Sequence, residues 1–109
     1  MNCPKCVQTG LQPKTIQGIE VDTCPACHGI WFDDHELEHL LDLSSKMLKP
    51  LLKGKESPEV NAQHGKCPRD GSNLLRVSSA HDATLILDTC VDCKGVWLDG
   101  GELRRLVKR

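Results

Sequence analysis

Cysteine placement limits what this chain can fold into more than any other feature. Its 109 residues hold seven cysteines, arranged as two sets at matching positions. Cys3-Pro-Lys-Cys6 is followed by Cys24-Pro-Ala-Cys27, and Cys67-Pro-Arg-Asp70 by Cys90-Val-Asp-Cys93, so an aspartate fills one slot. A two-residue spacer lets both side chains of a tight turn reach one ion while backbone amides hydrogen-bond the sulfurs. Four such groups match the tetrahedral preference of Zn²⁺. The spacing therefore predicts two zinc ions per chain, one on Cys3, Cys6, Cys24 and Cys27 and one on Cys67, Asp70, Cys90 and Cys93. A carboxylate binds zinc, and His64 or His81 is the alternative fourth ligand of the second site, with a metal-free second site as the third option. Iron also sits on four thiolates, and spacing does not separate the two metals.

The repeat extends beyond the ligands. Adding 64 maps Cys3 and Cys6 onto Cys67 and Asp70; adding 66 maps Cys24, Cys27, Gly29, Trp31, Asp33, Glu36, Leu37 and Leu40 onto Cys90, Cys93, Gly95, Trp97, Asp99, Glu102, Leu103 and Leu106. A duplicated unit of about 45 residues is too small to bury a sufficient core, and a structural metal is the usual remedy. Ile19, Val21 and Thr23 alternate with polar residues after Gln17-Gly18, which predicts a hairpin between Cys6 and Cys24. In the second repeat, Leu74, Leu75 and Val77 lead into a longer polar tip, and residues 84–89 return as a strand. Asp33 with Glu36, and Asp99 with Glu102, fit the capping box of a helix start. Apolar spacing carries the first helix through Leu37, Leu40, Leu41, Met47 and Leu48 to Pro50, whereas Leu103, Leu106 and Val107 allow two turns. Residues 53–66 have linker composition, dividing the chain into 1–52, 53–66 and 67–109. The expected fold is a small metal-stabilised α+β structure of two tandem zinc ribbons. Each is a β-hairpin with two zinc knuckles followed by an α-helix.

Cys24-Pro-Ala-Cys27-His-Gly-Ile-Trp31-Phe-Asp33 with Glu36-Leu37, and Cys90-Val-Asp-Cys93-Lys-Gly-Val-Trp97-Leu-Asp99-Gly-Gly-Glu102-Leu103, resemble the bacterial TFIIB-like zinc-ribbon family. The resemblance covers both repeats. It implies zinc bound by the positions named and a ribbon-plus-helix unit, and it implies a role in transcription only through likeness to a ribbon in a transcription factor.

Charge and aromatic content argue against a nucleic-acid surface. The formal net charge is −1, and zinc loading subtracts two charges at the first site and one at the second, to −4. Arg104, Arg105, Lys108 and Arg109 form the one basic cluster, for which favourable interaction with a helix C-terminus is a better explanation than phosphate contact. Trp31, Phe32 and Trp97 are the only aromatics, too few for a base-stacking platform. Both tryptophans are expected to pack between knuckle and helix, with Phe32 a candidate for an exposed patch. His35-Glu-Leu-Glu-His39 matches the H-E-x-x-H pattern of zinc proteases, but Gly101 and Arg105 stand where the second repeat would need its histidines. The absence of a basic-then-apolar leader and of an apolar run long enough to cross a membrane points to the cytoplasm, where disulfides are disfavoured. The expected protein is a non-enzymatic module that binds a protein partner, or a second copy through Leu41, Met47 and Leu48 on the first helix. A nucleic-acid-binding or transcription-associated role is the alternative. A metal-dependent hydrolase through His35, Glu36 and His39, or a redox-sensing zinc protein, is a third class.

Overall fold

Gln17 and Gly18 both take positive φ, 50° and 81°, as a two-residue hairpin turn requires. They join β1 (Gln12–Ile16) to β2 (Ile19–Thr23) in antiparallel register, with Ile16 opposite Ile19. Past the second knuckle the chain returns as a third strand, β3 (Ile30–Phe32), which pairs Trp31 with Asp22. The second repeat copies this path in β4 (Leu75–Ser78), β5 (Ile86–Thr89) and β6 (Val96–Leu98). The computed structural model describes residues 1–80 and 82–107.

The repeats are fused by strand pairing. β3 runs antiparallel to β6 with Trp31 opposite Trp97, giving one six-stranded sheet of order β1-β2-β3-β6-β5-β4. That order is unchanged when the repeats are exchanged, so the chain makes internally the self-complementary interface that two-fold dimers make between subunits. Two tandem ribbons, each a two-stranded hairpin followed by a helix, were expected, and the third strands account for the difference. Ile30, Trp31 and Phe32 are all buried, and an unpaired edge there would strand backbone groups away from water.

Alternation along β3 and β6 splits the interior in two. Ile30, Phe32 and Leu98 face a core with Leu40, Leu41, Leu48 and Leu51 of the first repeat and Leu85, Leu87, Leu103 and Leu106 of the second. Trp31 and Trp97 face the other way, among Cys3, Cys24, Cys67, Cys90 and Leu74.

The helices are shorter than their apolar spacing predicts. α1 spans Glu36–Leu41, and the chain then turns through Ser44-Ser45, residues that compete for backbone groups, into a 3-10 turn at Lys49–Leu51. Leu48 is fully buried and Leu41 nearly so, which leaves Met47 as the exposed member of the face expected to meet a partner. The second repeat closes with a 3-10 turn, Glu102–Arg105, after Gly100-Gly101, too short to propagate an α-helix. Residues 53–66 contain α2 (Pro58–Ala62), whose start is capped by the Ser57 hydroxyl accepting the Val60 amide at 3.3 Å. No helix among the described residues is long and apolar enough to cross a membrane.

Candidate metal centres

Each knuckle places sulfur under backbone amides. Cys3 Sγ accepts from the amides of Lys5 at 3.4 Å and Cys6 at 3.2 Å; Cys24 Sγ accepts from Cys27 at 3.5 Å, and Cys67 Sγ from Arg69 at 3.4 Å. His28, Lys94 and Gly71, at φ of 63°, 65° and 78°, turn the chain out of their knuckles and donate to the carbonyls of Cys24, Cys90 and Cys67. The result is two groups whose ligand atoms all lie within 4.8 Å of one another: Cys3, Cys6, Cys24 and Cys27, and Cys67, Asp70, Cys90 and Cys93.

Both groups fit zinc. The Sγ atoms of Cys3 and Cys27, and of Cys67 and Cys93, are 3.7 Å apart. Four sulfurs at the Zn–S length of about 2.3 Å would be spaced by about 3.8 Å, whereas a disulfide needs about 2.05 Å. All seven cysteines are free. Without an ion three of the thiols resist ionisation, while Cys90, despite burial, is held down by hydrogen bonds from neighbouring groups: burial and the neighbouring Cys27 push Cys6 up to about 11, and burial pushes Cys67 up to about 12. Hydrogen bonding to Cys3 and burial push Cys27 up as well. Crowded buried sulfurs that repel one another's charge are a donor set completed by a dication.

The second site is the more open. Asp70 Oδ1 accepts from the Ser72 amide at 2.9 Å and hydroxyl at 2.6 Å, which holds the exposed carboxyl down at about 2. Its Oδ2 lies 3.5 Å from Cys90 Sγ, so Ser72 takes one oxygen and leaves the other toward the thiolates.

Around these ligands the repeats cross. The Trp31 ring lies against Gly95, two residues after Cys93, so closely that a Cβ there would fall 2.0 Å from the ring; Trp97 lies against Gly29, two residues after Cys27, at 2.1 Å. Each indole N–H is held by an aspartate of its own repeat, Trp31 by Asp33 at 3.0 Å and Trp97 by Asp99 at 2.9 Å. The capping box is thus half formed. Glu36 and Glu102 reach back to the amides of Asp33 and Asp99 at 2.7 Å, but the aspartate side chains serve the tryptophans instead of the helix start.

Sequence reading missed the cations that complete this shell. Lys5 Nζ, almost wholly buried, donates to the carbonyls of Val60, Asn61 and Gln63 at 3.0, 3.2 and 2.7 Å, and lies 3.3 Å from Asp88 and 3.7 Å from Asp99. Arg69, its counterpart at an offset of 64, grips Asp33 through Nε and through a second nitrogen at 2.5 Å. A signal for them existed: a cation recurs within the first knuckle, and an acid recurs at Asp22 and Asp88, two residues before Cys24 and Cys90.

The remaining candidates lie elsewhere. His64 is exposed, on a cavity of about 520 Å³ between the two amino-proximal knuckles, and joins neither ligand group. His81, Lys108 and Arg109 lie outside the described residues. His35 sits in left-handed backbone at φ 71° ahead of α1, exposed beside Asp34 and Glu38, so the two imidazoles of the H-E-x-x-H match do not share a helix. Arg104 donates to the carbonyls of Gly54 at 3.0 Å and Leu52 at 2.5 Å, and Arg105 pairs with Asp82 at 2.9 Å and Glu56 at 3.1 Å. Phe32 is a core residue, not an exposed patch.

The transcription factor zinc-finger family, a TFIIB-type zinc ribbon, matches residues 2–43 and 66–109, one copy per repeat. Neither curated proteins nor solved structures match the chain. The chain belongs to that family, with two tandem copies and two metal centres suited to zinc.

Proposed function

We propose that this member of the transcription factor zinc-finger family is a non-enzymatic module whose two zinc ions are structural and whose task is to hold a protein partner. The observation that carries the reading is the fate of the two described members of its basic cluster: Arg104 and Arg105 are spent on backbone carbonyls, Asp82 and Glu56 within the chain. Cations so engaged contribute little to phosphate binding, and both tryptophans are buried away from any base. Apolar surface is exposed instead on the knuckles, at Val7 and Val91, and at Met1 nearby. Met1, Pro4, Val7 and Pro68 line the cavity between the amino-proximal knuckles, which offers a partner a concave surface. A reducing, cytoplasmic setting suits seven unpaired cysteines.

A salt titration of the two-zinc protein against generic duplex DNA and single-stranded RNA tests the reading. Phosphate-driven binding falls with a log–log slope of about −0.9 per duplex phosphate neutralised. The proposal expects weak binding with a slope shallower than about −2, by that same relation. Tight binding with a steep slope would establish the nucleic-acid alternative.

A further inference from the structure

We propose that each zinc centre takes its outer shell from the opposite repeat, through Asp33 for the second centre and Asp99 for the first, so that the two ions are retained as a coupled pair. The path is the same on both sides of the internal two-fold. At the second centre, the Arg69 amide donates to Cys67 Sγ and its guanidinium grips Asp33 of the first repeat. Asp33 in turn holds the Trp31 indole, and that ring covers Gly95, two residues after Cys93. At the first centre, the Lys5 amide donates to Cys3 Sγ, its ammonium lies against Asp99 and Asp88 of the second repeat, and Asp99 holds Trp97 over Gly29, two residues after Cys27. Outer-shell groups of this kind orient ligands and tune metal retention by about tenfold or more.

Coupling follows from where the borrowed groups are rooted. Trp31 lies within β3 and Asp33 just past it, and β3 begins three residues after Cys27; Asp88, Trp97 and Asp99 flank Cys90 and Cys93. Losing either ion loosens the strand that roofs the other, because metal binding in so small a unit is also folding. The arrangement is unequal. Lys5 is buried, whereas Arg69 is about half exposed, so the second centre has the more solvent-open clamp as well as the carboxylate ligand.

Asp33→Asn tests this without burying a charge, since Asp33 is partly exposed and asparagine keeps an acceptor for Trp31. The zinc-loaded protein is challenged with a chelator, and the cysteines freed are pulse-alkylated and located by peptide mass spectrometry. The expected result is crossed: Asp33→Asn speeds alkylation of Cys67, Cys90 and Cys93 by about fivefold to tenfold, within the range of site-to-site couplings, and that of Cys24 and Cys27 by less. Arg69→Met should give the same pattern, and the double variant should add little to either single change. A larger acceleration at the first centre than at the second, no change at the second, no change at all at the first, or a double variant whose two effects multiply would overturn the proposal.

Discussion

Gly29 and Gly95 carry more of the architecture than any side chain of their size. Neither takes a positive φ, so their value is space: a Cβ would land inside the tryptophan ring of the opposite repeat. The neighbour cannot give way, because both rings are fully buried and pinned through Asp33 and Asp99. Gly95→Ala is expected to cost at least the 1–3 kcal/mol typical of overpacking, read as a fall in the melting temperature of the zinc-loaded protein. An unchanged melting temperature would mean that the rings do not sit on the knuckles. Glu102 gives a prediction in pH. Burial, then the charge of Asp99, pushes its carboxyl from an ordinary 4.5 up to about 7. The native state thus prefers the protonated form, and the stability this gives is full below about pH 4.5 and lost as pH rises through about 7. Glutamine mimics the protonated acid and keeps the acceptor for the Asp99 amide. Glu102→Gln should therefore raise the melting temperature under excess zinc more at pH 8 than at pH 6; an equal or smaller gain at pH 8 would contradict the assignment.

Among the elements, α2 and the strand pair β5–β6 are tied to the first knuckle by one ammonium group. Lys5 has more oxygen neighbours than protons, three carbonyls from residues 60–63 and two carboxylates from β5 and the end of β6. Lys5→Met should cost about 3–5 kcal/mol, the usual result of leaving a buried charge without its partner. Lys5→Arg should recover part of that, measured by thermal unfolding of the zinc-loaded chain; a loss below about 1 kcal/mol for methionine, the size of a surface pair, would contradict the buried hub. The metal ligands and the first hairpin were legible in the sequence because their determinants are local: two-residue spacers, and Gln17-Gly18 between alternating runs. Strands β3 and β6 were not, because three residues show no period and their pairing joins positions 66 apart. The helix was read too long for a related reason. Leu41, Met47 and Leu48 keep helical spacing, yet Leu48 reaches the core from a separate turn. The crossed cations lay in plain view as repeated charges, but only the folded sheet says whose acids they meet.

At the scale of the molecule, the duplication acts as a two-fold dimer written into one chain, with the β3–β6 seam as its interface and a metal centre in each half. The core and the metal-side cluster each draw on both repeats, so neither half buries its own apolar face alone. Zinc then contributes to folding directly: apparent binding energies of about 10–16 kcal/mol per structural site rival the net stability of a whole domain. Two occupied sites are the premise of the sheet, the proposed crossed shell and the proposed partner surface between the knuckles. Elemental analysis of protein purified without added metal tests that premise most directly. Two zinc ions per chain is the predicted result, and one or none, with iron also absent, would contradict it.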